Sequence, residues 1–457
     1  MGRPCRVVFA VVVCLAACSR SGSNSLPAEH GTSFGYVPGS TSKVCTLTGA
    51  PTADLARQTK NARRFGLVAA DNGYSFSYRG NTWFVFGDSK PTTDFPEGSG
   101  QPNAAVRYPK LASGLDNDAI AYAKPTPPGT CPALEFVPRK APPVGAFTNP
   151  SVVLNGQPVS LRTNEAPQSG IAVNDRMFVV FKTANRCDLP SPPPSLGCTG
   201  SPGGFGHPTE SVLGELADQS TLQFTGLYAL SAPSTPYGDD AKFVNVALHQ
   251  AADDYIYFWG TAGGASTHNS PPYLARVPPA QIRTKSAIAY YAGSSPAGAP
   301  TWGTNESAAV ALFNDDPNCM GELGVEYNSY LKSWMMLYNC RNDSASHPRG
   351  IWMRTASQPW GPWSAPQTIF RSATDGYCVV MSKPSCPAPY NGGLGGDYGP
   401  YFIAGWTTGT PATANVPAST TIYYTVDTFV PYGQVIECST IVETPAGRPQ
   451  APPATHC

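Results

Sequence analysis

Hydrophobic and polar residues alternate along five stretches of this chain, each folded about a turn signal, and the period of two marks β-strands packed into sheets. In DNGYSFSYRGNTWFVFGDS, residues 71–89, two strands flank a tight Arg79-Gly80 turn. QSGIAVNDRMFVVFKT turns at Asn174-Asp175, NVALHQAADDYIYFWGT at Asp253-Asp254, and ELGVEYNSYLKSWMMLYN near Tyr330. The last, DYGPYFIAGW…TIYYTVD, carries a long Pro/Thr/Ala insertion between its strands. The first polar residues of the five are Asp71, Gln168, Asn245, Glu322 and Asp397, at spacings of 97, 77, 77 and 75. A unit of that length holds the four strands of a propeller blade, and radial closure leaves only short edges. Segments between the hairpins, such as STLQFTGLYALSA and GIWMRTASQPWGPWSAPQTIF, supply outer strands. The pattern predicts an all-β chain with a five-bladed β-propeller over residues 56–445; a series of unrelated β-sandwiches is the alternative.

Composition narrows the ligand rather than the fold. Charged residues make up 13% of the 457, against about 25% in ordinary domains. The 45 Gly and 48 Pro are together about a fifth of the chain, as turn-rich β proteins need, and 11% aromatic residues suit pleated surfaces. Net charge is zero and no Lys/Arg block exceeds a pair such as Arg63-Arg64, so the counterion-release drive for nucleic acid is missing. A neutral polar partner fits better.

The N-terminus speaks to location. Behind Arg3 and Arg6, the apolar run VVFAVVVCLAA leads to Cys18 in LAAC. Residues 1–17 thus read as a secretory signal ending in a bacterial lipobox, with Cys18 carrying lipid after cleavage. An ordinary signal cleaved nearby is the plainer alternative. No later segment is long and apolar enough to span a bilayer, so the expectation is an exported lipoprotein of the bacterial cell envelope, held to the membrane through Cys18. Residues 18–55, with SRSGSNS and YVPGSTS, read as a flexible tether, and 446–457 as a Pro-rich tail. Of 13 cysteines, ten remain once Cys5, Cys14 and Cys18 are set aside, an even number in an oxidising compartment. Cys187 with Cys198, Cys319 with Cys340, and Cys378 with Cys386 are close enough to pair locally, while Cys45, Cys131, Cys438 and Cys457 have three connectivities. Cys319 and Cys340 also lie about the turn that sets Glu322 opposite Tyr338, which predicts a disulfide across the fourth hairpin. Without C-x-x-C spacing, and with the six His scattered, no metal site is expected.

The first strand of a propeller blade runs beside the central axis, so its first residues ring one mouth of the channel. Three of the five here are carboxylates, in a chain poor in charge. The first hairpin also sets Asp71 and Asp88 side by side at its open end, roughly 5 Å apart at Cβ. Glycosidic cleavage needs one group to protonate the leaving oxygen and another to activate water or attack carbon, and both are usually Asp or Glu. Asp71, Asp88 and Glu322 are therefore the catalytic candidates, with Asn72, Gln168, Asn245, Asp397 and Tyr398 as substrate-binding candidates. A turn-capping role for Asp88 and a solvated turn at Asp397 are the structural alternatives.

Several stretches in order, DNGYSF…NTWFVFGDS, PYLARVPPAQI, GELGVEYNSYLKSWMMLY, PWGPWSAPQ, YGPYFIAGW and TIYYTVDTFVPYGQV, resemble the bacterial domain of unknown function 4185 from about residue 60 to 442. Members of that family are identified as glycoside hydrolase family 183, five-bladed endo-D-arabinanases. The resemblance implies a hydrolase of α-linked D-arabinofuranose chains, as in arabinogalactan and lipoarabinomannan, and the expectation for the chain is a monomer without a cofactor. A central ion is compatible with the architecture, but no ligand set for one is legible. By analogy with other five-bladed sugar-cleaving propellers, Glu322 is a candidate acid; a dyad of Asp71 and Asp88, with Glu322 holding a sugar hydroxyl, is equally open. A non-catalytic glycan-binding propeller, lectin or adhesin, is the rival function.

Overall fold

The computed structural model describes residues 33–49, 67–91, 118–137, 147–161, 165–184, 208–234, 240–262, 270–314, 319–340, 350–371, 375, 397–429 and 432–444. They form five sheets around one axis, antiparallel except where Ser151–Leu154 pairs in parallel with Gln223–Ser231, a five-bladed β-propeller. Blade 1 runs from its inner strand outward as Leu67–Tyr78, Asn81–Pro91, Ala119–Ala123 and Glu135–Phe136. Blade 2 is Ala166–Val173, Arg176–Ala184, Pro208–Asp218 and Gln223–Ser231, with the Ser151–Leu154 and Gln157–Pro158 strands added at its outer edge. Blade 3 is Asn245–Gln250, Ile256–Thr261, Tyr273–Val277, Ala289–Ser294 and Pro300–Gly303; blade 4 is Met320–Asn328, Ser333–Cys340, Gly350–Ala356 and Gln367–Phe370.

The turns are those the sequence signals. Arg79-Gly80 and Asn174-Asp175 both sit at positive φ in two-residue hairpin loops, the conformation whose twist matches the strands it joins. The second strand of each blade explains the ring. Its alternate residues face opposite neighbours, and both faces are apolar. Trp83 and Val85 pack with Met177, Val179 and Phe181 of blade 2, while Phe84 and Phe86 face Ile403, Trp406 and Ile436 of blade 5. Phe178 and Val180 turn to Ile256 and Phe258 of blade 3, whose Tyr257 and Trp259 meet Trp334 and Met336 of blade 4. Met335 and Leu337 close the circuit on Ile422, Tyr424 and Val435 of blade 5. Period two thus gives each blade two greasy faces, which only a closed ring can bury.

Blade 5 departs from the expected hairpin. Its inner segment, residues 397–410, meets the Ser419–Phe429 strand only through bridges at Tyr398 and Phe402 and the short Thr408–Thr410 strand. The outer edge comes from the N-terminus, where Ser33–Tyr36 and Ser42–Gly49 both pair with Tyr432–Thr444. Residues 33–49 are therefore part of the propeller and not of the expected 18–55 tether. The residues TSKVCTLTG alternate, and their buried Cys45 and Leu47 join the core shared with blade 1. A disulfide from Cys45 to Cys131 staples this strand to blade 1 across the closing seam. Cys45 and Cys131, two of the four cysteines whose connectivity the sequence leaves open, are thus paired with each other.

The Cys319–Cys340 disulfide is present, on a register shifted from the expected one. Leu323, not Glu322, faces Tyr338, and an irregularity between Met320 and Leu323 restores the pairing of Met320 with Cys340. The signal, the lipid site Cys18, the pairs Cys187–Cys198 and Cys378–Cys386, and the 446–457 tail lie outside the described residues.

Candidate active site

The inner strands of blades 1, 2 and 4 start at one mouth of the channel, and the buried polar residues gather there. Asp71, Asn72, Asp88, Gln168 and Glu322 are all buried. In the first hairpin Asp71 pairs with Gly87, one residue before Asp88, through a ladder interrupted on both sides of Asp71 and Asn72. Asn72 and Asp88 sit at positive φ, so both strands kink at the carboxylates, as bulges beside functional sites often do. Gly87 is required by close approach: a Cβ there would collide with the Asn72 amide and the Ala166 methyl.

Asp71 is gripped on both oxygens. Asn72 Nδ2 donates to Oδ1 (3.1 Å) and the Tyr398 hydroxyl to Oδ2 (2.7 Å). Burial first, and then the neighbouring Asp88 carboxylate, push its pKa from 3.8 up to about 7. Glu322 adds to that rise, while the Tyr398 bond and Lys182 oppose it. Glu322 forms an ion pair with Lys182 (3.4 Å to Oε1) and accepts the Gly399 N–H on Oε2 (3.0 Å). Its own N–H donates to Asn339 Oδ1 (2.7 Å), which fixes the shifted register.

A further acid lies beneath. Asp427 Oδ2 accepts the Asn72 N–H (2.8 Å) and Oδ1 accepts Gln434 Nε2 (2.5 Å), while Gln434 Nε2 also donates to the Asn72 carbonyl (2.6 Å). Gly399, at φ 62°, packs so closely that a Cβ would strike the Asp427 carboxylate. Burial, and then Asp71 and Glu322, raise the pKa of Asp427 well above the usual range. Asp427 thus braces both Asn72, beside Asp71, and the Tyr398-Gly399 step that holds Asp71 and Glu322.

The remaining candidates divide. Gln168 Nε2 donates to the Tyr401 hydroxyl (2.6 Å), which donates in turn to Asn72 Oδ1 (3.5 Å), so Gln168 supports the cluster through Tyr401. Asn245 bonds within its own blade, to Thr261 Oγ1 (3.3 Å) and the Ala262 carbonyl (3.2 Å). Asp397 acts instead on Glu437 in the outer part of blade 5, whose pKa is raised by burial first and then by Asp397, while Tyr398 reaches the cluster in the place of Asp397. Sequence reading missed Lys182, Tyr401, Asp427 and Gln434. Lys182 and Asp427 did leave a signal, each a lone charge closing an apolar run, in VVFK and YYTVD. Among the described residues no three His, Cys, Asp or Glu side chains converge as metal ligands.

Part of the chain matches a family model. Residues 217–434 match the domain of unknown function DUF4185. That span takes in Glu322, Tyr398 and Asp427 and leaves Asp71 and Asp88 outside it. No curated protein matches the chain. Among solved structures it is similar to an exo-β-1,3-galactanase from Phanerochaete chrysosporium (TM-score 0.41, 8% identity, 87% of this chain and 63% of that one). It is also similar to the catalytic domain of a Coprinopsis cinerea GH62 α-L-arabinofuranosidase (0.39, 10%, 87% and 95%). An N-acetylgalactosamine deacetylase from F. plautii is similar to the same degree (0.41, 11%, 88% and 96%). The chain spans less than two thirds of the galactanase's length.

Proposed function

We propose that this protein is an extracytoplasmic glycoside hydrolase that cleaves α-D-arabinofuranosyl linkages within D-arabinan, using the carboxylates at the channel mouth. The observation that carries the reading is Asp71: a buried carboxyl beside Asp88 and near Glu322, with its pKa pushed up to about 7. Such a group keeps its proton in a large share of molecules up to neutral pH and can give it to a leaving oxygen, the office of the acid in glycosidic cleavage. Glu322, ion-paired to Lys182, suits a charged role in place of the acid's role that analogy suggested. Asp88 and Glu322 then supply the negative charge that an oxocarbenium-like transition state needs, one of them activating water or attacking carbon. The D-arabinan substrate rests on the ordered sequence stretches described above. The disulfides fit maturation outside the reducing cytoplasm, and anchoring through Cys18 is part of the same proposal.

Product analysis on purified arabinogalactan, beside L-arabinan and xylan, tests it. New reducing ends and short oligosaccharides are expected from D-arabinan alone. A protein that binds the polymer and releases nothing over days is a lectin, and the hydrolase reading is then wrong.

A further inference from the structure

The channel has a second mouth. Four to six residues beyond Asp71 along the inner strand of blade 1, roughly 15 Å at a strand's rise, Ser75–Ser77 enter a cavity of about 310 Å³. The equivalent ends of the other inner strands complete it: Gly170–Ala172, Leu248–Gln250, Gly324–Tyr327 and, in blade 5, Phe402 to Gly405. It is a funnel. Ser77, Gln250, Tyr327 and Gly405 are exposed at the rim, and Tyr74 and Leu248 are buried at the floor. Tyr74 donates its hydroxyl to the Leu248 carbonyl (2.7 Å) and packs edge-on against Tyr401, the residue that supports Gln168 and Asn72 under the carboxylates. Tyr74 and Tyr401 thus lie between the funnel and the residues beside Asp71.

The lining combines aromatic faces with hydrogen-bonding groups of little charge. Tyr327 is 40% exposed, an uncommon state for a large ring, and is held edge-on by Trp334 (5.4 Å). Trp334 also meets the His249 ring at 5.1 Å. Glu326 accepts the Thr407 hydroxyl on Oε1 (2.9 Å), and its Oε2 has no hydrogen-bond partner among the described residues. Burial pushes the Glu326 pKa up to about 7, against the Thr407 bond, and that of His249 down to about 4. At neutral pH His249 is therefore uncharged, offering one donor and one acceptor, and Glu326 is only partly ionised.

We propose that this funnel is a second binding site, separate from the catalytic mouth, that takes one neutral sugar unit with its ring face on Tyr327 and its hydroxyls on Glu326 and His249. The volume accepts a monosaccharide with a few waters, and a ring wall with a few placed polar groups is the usual build of a small-ligand site. A metal ion would instead want several converging carboxylates or imidazoles, and among the described residues no such group gathers here.

Titration calorimetry on the full chain, with D-galactose, D-arabinose and tetramethylammonium as probes, tests it. A neutral sugar is expected to bind in wild type and equally in Asp71→Asn, and to lose at least tenfold in affinity in Glu326→Ala and in Tyr327→Ala. Should Glu326→Ala fail to fold, Thr407→Val, which removes only the hydroxyl that holds Glu326, is expected to weaken binding in its place. Absence of sugar binding, sugar binding indifferent to these substitutions or lost in Asp71→Asn, or binding of the ammonium probe in place of the sugars, overturns the proposal.

Discussion

At the scale of single residues the cluster turns on Asp71. If it is the acid, Asp71→Asn lowers kcat by roughly 10²–10⁴-fold, the range for loss of a general acid or base. The wild-type rate should fall as pH rises through about 7, because the acid must be protonated, and that limb should vanish from the residual activity of the variant. A rate that climbs through the same region would make Asp71 the base. Stability carries an independent signature. The folded pKa, about 7, lies above the ordinary 3.8, so the folded protein keeps a proton that the unfolded chain releases. The stability this adds is fully present below about 3.8 and is lost as pH rises through about 7. The amide has no such loss, so Asp71→Asn should melt higher than wild type at pH 8, relative to their difference at pH 4. Asp88→Asn and Glu322→Gln complete the set: a collapse in kcat marks a group that reacts, and a rise in KM alone marks one that only holds sugar.

At the scale of elements, two substructures set the cluster's geometry. The Asp427–Gln434 pair on the last two strands of blade 5 fixes the Asn72 kink and crowds Gly399. Gly399→Ala meets both a positive φ and a collision, and is expected to cost at least about 1–3 kcal/mol by chemical denaturation. It should also lower kcat, since Gly399 donates to Glu322 and Tyr398 to Asp71. A variant with wild-type stability and rate would show that this packing is not needed. The fourth hairpin is the other case. Its irregularity at Met320–Leu323 gives Glu322 a partner in Asn339 in place of the expected Tyr338. Strand pairing was legible from the alternation, but a one-residue shift leaves no trace in the pattern when both faces of a strand are buried.

At the scale of the whole molecule, closure is the requirement, because every blade presents two apolar faces. Residues 33–49 form the outer edge of blade 5, and Cys45–Cys131 ties that edge to blade 1. Removing residues up to 49 is expected to abolish the cooperative thermal transition, whereas Cys45→Ser with Cys131→Ser keeps it and loses about 2–5 kcal/mol, the usual range for a disulfide closing a long loop. Unchanged melting of the truncated protein would show that the ring closes without this edge. The anchor is tested at the same scale: under the proposal for LAAC, Cys18→Ala moves the protein from the membrane to the soluble fraction, and unchanged partition refutes it.

The sequence by itself determined the class of fold, the number of blades, the hairpin turns and the fourth-hairpin disulfide, because these depend on local periodicity and on residues near one another in the chain. It also marked Asp71, Asp88 and Glu322 as unusual carboxylates in a chain poor in charge. Only the tertiary structure decided what surrounds them. Lys182, Tyr398, Asp427 and Gln434 come from blades 2 and 5, hundreds of residues from Asp71 for the last three, and meet it only when the ring closes. The same closure made an edge strand of an N-terminal segment whose short alternation, TSKVCTLTG, lies in Ser- and Gly-rich surroundings, because the open edge of blade 5 offers it hydrogen bonds.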